Sequence, residues 1–186
     1  MPDDHHHHHD ADAVSFGVLT VSSSRTLDSD GSGDAIVAAI EADGHTVAAR
    51  DLVGDDETSI RGRVAGFIAD GDVEAVVTTG GTGVTPDDVT VEALDPLFDR
   101  EVPGFGEQFR ARSVDEVGPH AMISRATAGV ADGVPVFCLP GSEQAAEFGT
   151  EELILPVVGH LVSLASGEGG GHDHSHEHSH AHDTDP

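Results

Sequence analysis

"VEAVVTTGGTG" (residues 73–83) is a run of apolar, β-branched residues that empties into three glycines, and the helix signal "DDVTVEAL" (87–94) follows a few residues later. A short continuous apolar run bounded by glycines fits a strand buried on both faces. Working outward toward the N-terminus, "VSFGVLTVS" (14–22) and "HTVAARDLV" (45–53) are further strands. Between them, residues 33–43 place Ile36, Val37 and Ile40 on one helical face and stop at Gly44. A second helix, capped by Thr58, repeats Ile60, Val64, Phe67 and Ile68 at helical spacing up to Gly71. The order β-α-β-α-β predicts a mostly parallel central sheet covered by helices on both faces. Beyond the glycine loop, helical stretches lie near 90–98 and 105–117. Asp132-Gly133 between two β-prone runs then predicts a tight hairpin, which adds a small antiparallel portion to the sheet. A last helical region, 142–165, is bent or split at Pro156.

At 186 residues the chain suits one domain, 14–166, flanked by a His/Asp-rich N-terminal tail (1–13) and a Gly- then His-rich C-terminal tail (167–186) expected to be disordered. There are 35 acidic residues against eight basic ones, all eight arginines, for a formal charge of −27. Removing both tails leaves 26 acids against the same eight arginines, so the acidity belongs to the folded part. Self-repulsion on this scale destabilises a compact state unless salt screens it. With lysine absent, the composition reads as halophilic rather than as a generic acidic surface. It disfavours nucleic acid, whose phosphates need cationic partners. The single Cys138 excludes an intrachain disulfide, fits a reducing interior, and sits in "VFCLP" as a small buried hydrophobe. No signal peptide or apolar run of spanning length is recognised, so the expected location is cytoplasmic, away from membrane.

In open α/β sheets, ligands collect beyond the carboxyl ends of the strands. Four loops of unusual content are expected there: "SSSRTLDSDGSG" (22–33), "VGDDETS" (53–59), "TTGGTGVTPDD" (78–88) and "LPGSEQ" (139–144). Their glycines and hydroxyls suit phosphate oxygens, whereas their carboxylates would repel phosphate unless a cation intervened. The lysine of an ordinary nucleotide loop is missing, with Asp87 and Asp88 near its place. Mg²⁺, which binds through one or two carboxylates plus substrate phosphates, reconciles the two chemistries. In the tails, five consecutive histidines (5–9) and the alternating His172, His174, His176, His178, His180 and His182 offer imidazole to a transition metal, or form a hydrated tail.

"TTGGTG", "DDVTVEAL", "DREVPGFGEQFR", "SRATAGV" and "VFCLPGS" together resemble the MoaB/Mog family of molybdenum cofactor biosynthesis proteins, the molybdopterin adenylyltransferase group. "LTVS", "LFDREV" and the short C-terminal region are closer to its MoaB branch. The resemblance covers about residues 14–165. It implies a three-layer α/β/α sandwich, the molybdopterin-binding domain fold, assembled as a homotrimer or homohexamer. It also implies ATP and molybdopterin as substrates, Mg²⁺ as cofactor, and other molybdenum cofactor biosynthesis proteins as partners. Active members adenylate the terminal phosphate of the pterin and release pyrophosphate; tungsten in place of molybdenum is compatible with the same pterin.

Carried over residue by residue, Asp55 and Asp88 match the family's metal-binding and catalytic carboxylates, while Asp87 falls at a variable place. Gly80, Gly81, Thr82 and Gly83 match the loop that cradles phosphate or the adenylate; Asp30, Ser32 and Gly33 match the family's D-x-S-G near the nucleotide. Pro140, Gly141 and Ser142 match the turn that holds the pterin phosphate. Glu107 and Arg125 lie in family motifs, but each equally suits a structural ion pair. The family's Ser-(Asp/Asn)-Arg appears here as "SSSR", which displaces Arg25 by one place. The competing expectation is a non-catalytic carrier or scaffold that binds molybdopterin on the same fold.

Overall fold

The computed structural model describes residues 13–167. The tail segments, including the histidines at 5–9 and 172–182, lie outside the described residues. Six strands form one sheet in the order β2-β1-β3-β6-β5-β4. They are β1 (Ser15–Val21), β2 (Thr46–Val53), β3 (Ala75–Thr79), β4 (Arg100–Glu101), β5 (Thr127–Ala131) and β6 (Val134–Leu139). β1 pairs in parallel with β2 and β3, and β3 with β6, whereas β5 runs antiparallel to both β6 and β4.

Alternation along the central strands builds two cores. Phe16 and Val18 of β1, Val77 of β3 and Phe137 and Leu139 of β6 face one side. They pack there against α1 (Gly31–Ala42), α4 (Pro103–Val117), α5 (Glu143–Gly149) and α6 (Leu155–Ala165) through Ile36, Ile40, Phe105, Ala146 and Val158. Leu19, Val76, Val136 and Cys138 face the other side and meet α2 (Glu57–Ala69) and α3 (Thr90–Leu94) through Ile60, Val64, Phe67 and Leu94. The result is a three-layer α/β/α sandwich. The chain steps outward from β1 to β2 through α1, then back across β1 to β3 through α2. Right-handed crossovers in opposite directions place those helices on opposite faces. A crevice consequently opens at the carboxyl ends of β1 and β3.

Several local outcomes differ from the sequence reading. Helix α2 is capped by Asp56 and not by Thr58: one Asp56 carboxylate oxygen accepts from both the amide and the hydroxyl of Ser59, each at 2.8 Å. The amide bond from Ser59 is the largest influence holding that carboxyl below its usual range. β4 was missed because two exposed, charged residues carry no strand pattern. The Asp132-Gly133 hairpin forms as expected, with φ of 49° and 80°, the left-handed pair of a type I′ turn.

In the last helical region a π turn, Thr150–Ile154, separates α5 from α6 immediately ahead of Pro156. The proline has no N–H to donate to the preceding turn, and the wider turn accommodates it. By length and mean hydropathy (1.3), the stretch Glu143–Ala165 reaches the dimensions of a membrane span, which the sequence reading did not flag. In the fold, Ala146, Ile154, Val158 and Val162 of this stretch belong to the core. Burial pushes the Cys138 thiol up to about 12, in keeping with a packing role.

Candidate active site at the carboxyl edge of the sheet

A cavity of about 490 Å³ lies in the crevice. Its walls come from the loops that leave β1, β2, β3 and β6, joined by the 3₁₀ segment Gly118–Ile123 after α4. Size and placement suit a small-molecule ligand.

The floor is glycine backbone. Gly80 and Gly81 have φ of 102° and 67°, which a side chain rarely adopts. A Cβ on Gly80 would also run into the Val21 carbonyl, and one on Gly81 into the Thr90 hydroxyl. Thr90 ties the loop to the start of α3: its hydroxyl donates to the Gly80 carbonyl (2.8 Å) and its amide to the Gly81 carbonyl (3.0 Å). From β6, a Cβ on Gly141 would lie 3.1 Å from the Gly80 Cα, so the two turns sit backbone on backbone. The Thr79 hydroxyl donates to the Pro140 carbonyl at 2.8 Å and closes the same junction.

The two carboxylates enter from different loops. Asp55 Oδ2 accepts from the Ser23 amide at 2.8 Å, while the Asp55 amide donates to Ser23 Oγ at 3.2 Å. Among the described residues, Asp55 Oδ1 has no protein donor. Asp88 Oδ2 accepts from the Thr85 amide (2.9 Å) and hydroxyl (2.7 Å). Partial burial would push the Asp88 carboxyl up, but the Thr85 and Gly83 hydrogen bonds and the Arg125 charge outweigh it, so it is held below its usual value. Both aspartates line the cavity; Asp87 is exposed and does not.

Arg125 acts on the glycine loop from behind. Its guanidinium donates to the carbonyls of Gly83 and Asp88, each at 2.6 Å, and forms an ion pair with Glu92. Its amide donates to the Thr82 carbonyl at 2.9 Å. Of the two alternatives left open for Arg125, the structure displays the ion pair. Glu107 is exposed on α4 and does not line the cavity.

Arg25 does line it, despite its displacement in sequence. One nitrogen, Nη1, donates to Ser32 Oγ (2.8 Å) and to the Gly141 carbonyl (3.1 Å), bridging the first and last loops.

The remaining motif residues sit one layer deeper. Asp30 is fully buried and caps α1, accepting from the Gly33 amide (3.0 Å), the Thr20 hydroxyl (2.6 Å) and Arg50 (2.9 Å). Burial alone would push its carboxyl up; the Thr20, Arg50 and Gly33 hydrogen bonds outweigh it and hold it below the ordinary value. Asp30, Ser32 and Gly33 are therefore placed to shape the first loop, and they do not line the cavity. Ser142 caps α5 by accepting from the Ala145 amide at 3.2 Å. It lines a smaller neighbouring cleft instead.

Residues 17–160 match the family described as "Probable molybdopterin binding domain". Molybdenum cofactor biosynthesis protein B of Bacillus subtilis is 40% identical over 84% of this chain and 93% of its own length. The protein of the same name from Escherichia coli K12 is 44% identical over 76% of this chain and 83% of its own. The chain belongs to the MoaB/Mog family of molybdenum cofactor biosynthesis proteins. Solved members superpose closely. One crystal structure of molybdenum cofactor biosynthesis protein B aligns with a TM-score of 0.80 at 40% identity, covering 82% of this chain and 95% of that one. The tungsten cofactor synthesizing protein MoaB from Pyrococcus furiosus aligns with a TM-score of 0.73 at 39% identity, covering 83% and 98%.

In this MoaB/Mog chain, the fold brings together Asp55, Asp88, the Gly80–Gly83 loop, Pro140 and Gly141 in one cavity. Sequence reasoning missed the wall made by His120, Ile123 and Ser124. The Gly-Pro break at 118–119 marks a turn there, but nothing local says that the turn folds back over the glycine loop. The donor set suits a hard cation of the Mg²⁺ kind. Two carboxylates from different loops line one cavity, one with an oxygen free of protein donors, and among the described residues no group of three or more His, Cys, Asp or Glu forms a closed cage.

Proposed function

We propose that this chain is a Mg²⁺-dependent molybdopterin adenylyltransferase. In the reaction, an oxygen of the pterin's terminal phosphate would attack the α-phosphorus of ATP. The bond from that phosphorus to the bridging oxygen would break, giving adenylyl-molybdopterin and pyrophosphate. The observation that carries the reading is the meeting, in one cavity, of a glycine floor shared by the Gly80–Gly83 loop and Gly141 with the carboxylates of Asp55 and Asp88.

Asp55 and Asp88 would hold Mg²⁺, which supplies charge neutralisation to the phosphate oxygens when bound. The floor offers backbone close enough to follow phosphate oxygens because no side chain intervenes. Arg25 adds the guanidinium that faces the same space. Most of the catalytic effect is then positioning and fixed electrostatics, as phosphoryl chemistry requires. The family's solved members and the carboxylate-plus-glycine chemistry support this reading, and a cytoplasmic homotrimer or homohexamer is proposed with it.

The test is pyrophosphate release from ATP in high salt, with and without molybdopterin and Mg²⁺. Release that requires all three supports the enzyme. Tight pterin binding with no ATP turnover would sink it and leave a carrier or scaffold of the same fold.

A further inference from the structure

A second, smaller cleft of about 180 Å³ adjoins the main cavity. The two share His120, Ser124 and Pro140, so they meet along one wall. Their characters differ. The main cavity is floored by glycine backbone and carries Arg25, Asp55 and Asp88, whereas the small cleft is lined mainly by apolar surface, with Phe109, Val117, Ala121, Ala145 and Phe148 beside the polar Ser113, Glu116, Ser142 and Gln144. A ligand that spans both needs an anionic end beside an apolar, ring-like body. His120 stands at the point where one gives way to the other.

The position of His120 is unlike that of every other charged or titratable group lining the main cavity. Asp55 is held by Ser23, Asp88 by Thr85, and Arg25 by Ser32 and Gly141. Among the described residues, no hydrogen bond or ion pair engages His120, so both ring nitrogens are free for a ligand. The charges around it are Arg25 from the loop after β1, Asp55 from that after β2, Asp88 from that after β3, and Glu116 from α4. Glu116 is engaged by Gln144 from α5, whose amide donates to its Oε2 at 2.9 Å. With Mg²⁺ on the two aspartates, as proposed above, Arg25 and His120 are the two nitrogen-bearing side chains of the lining left to donate to a phosphate directly. An imidazole donates an N–H and adds a positive charge when an adjacent anion favours its protonation.

We propose that His120 is a ligand-contacting residue of this site that binds a phosphate monoester whose flat ring system occupies the small apolar cleft. The inference rests on the adenylyltransferase reading for the nature of the ligand. The phosphate belongs either to the pterin or to the adenylate. His120 donates a hydrogen bond and, when protonated, a positive charge to it, complementing Arg25 in the same lining.

The experiment measures binding of molybdopterin and, separately, of AMP to the full chain at several pH values between about 6 and 8, the range over which imidazole titrates. Wild type, His120→Ala and His120→Arg are compared. Because the ligand phosphate titrates in the same range, the informative quantity is the difference between wild type and His120→Ala. For the ligand that His120 holds, the expected result is a loss of about tenfold in affinity in His120→Ala at the acid end, shrinking toward the alkaline end. His120→Arg should keep the acid-end affinity across the whole range. The ligand whose affinity moves identifies the source of the phosphate. Equal affinities of wild type and His120→Ala for both ligands at every pH would overturn the proposal while leaving the site reading intact. So would a loss in His120→Ala that is constant with pH and not restored in His120→Arg. A wild-type protein that binds neither ligand would overturn the site reading and the inference together.

Discussion

Asp55 and Ser23 hold each other by two reciprocal bonds, carboxylate to amide and amide to hydroxyl, across the gap between the loops that leave β2 and β1. The pair fixes where the Asp55 carboxylate, proposed above to hold Mg²⁺, enters the cavity. Ser23→Ala removes the hydroxyl half of the exchange. Its expected cost in stability is small, within about 0.5 kcal/mol. The expected loss is in Mg²⁺ affinity, about tenfold, because the loop carrying Asp55 is then tied by the amide-to-carboxylate bond alone. Thermal denaturation beside a Mg²⁺ titration of pyrophosphate release checks both halves.

Asp55→Ala and Asp88→Ala should each lower turnover by about 100-fold or more while the fold is kept. Circular dichroism and pyrophosphate release measured on the same preparations separate loss of chemistry from loss of structure. Asp87→Ala, changing an exposed neighbour, should leave both unchanged.

Gly80→Ala should destabilise the protein by about 2 kcal/mol, since its φ of 102° is strained for any side chain and the Val21 carbonyl occupies the space. Gly83→Ala has no such backbone conflict. Its Cβ would stand 2.6 Å from Asp88 Oδ2, so the expected effect is a displaced carboxylate and weaker Mg²⁺ dependence. Comparing the two variants by melting temperature and by Mg²⁺ titration tests whether the floor and the carboxylate are separable.

Asp30 predicts an acid limb to stability. Its folded carboxyl is held below the ordinary 3.8. The stabilisation is therefore complete above that value and is lost as pH falls through the lower folded one. Arg50→Met should destabilise the protein at neutral pH by about 2 kcal/mol, leaving a buried carboxylate short of its cation, and should move acid unfolding to higher pH. Denaturant melts across the acid range check the sign; an unmoved acid midpoint would contradict it.

The acidic body predicts stability that rises with salt. Melting temperature and sedimentation followed from about 0.1 M to above 1 M salt, where the screening length shrinks several-fold, should show tighter and more stable protein at the high end. A flat series would refute it.

The β-α-β-α-β order and the hairpin at Asp132-Gly133 were legible because burial imposes a helical period on Ile36 and Ile40 and leaves a continuous apolar run in a strand covered on both faces, such as Ala75-Val76-Val77. Asp55 and Asp88 were legible through their motifs. β4 was not, because Arg100 and Glu101 are strand by pairing with Val130 and Gly129 and not by composition. The cap of α2 was displaced because Asp56 and Thr58 are both good capping residues, and only the geometry shows which one reaches an amide. The burial of Asp30 was hidden for a related reason: its partners Thr20 and Arg50 lie on strands that meet it only after folding. His120 belongs to an exposed 3₁₀ segment, whose place over the glycine loop is a tertiary fact.

The contact between Gly141 and Gly80 joins segments 61 residues apart with main chain against main chain. A surface made this way has no rotamers to choose, so its shape is the same whatever ligand arrives. Discrimination between ligands is left to the walls, where Arg25, His120 and the aspartates stand. Within this fold, the base of the cavity is set by main chain and its rim by side chains, so a substitution can retune the rim while the base keeps its shape.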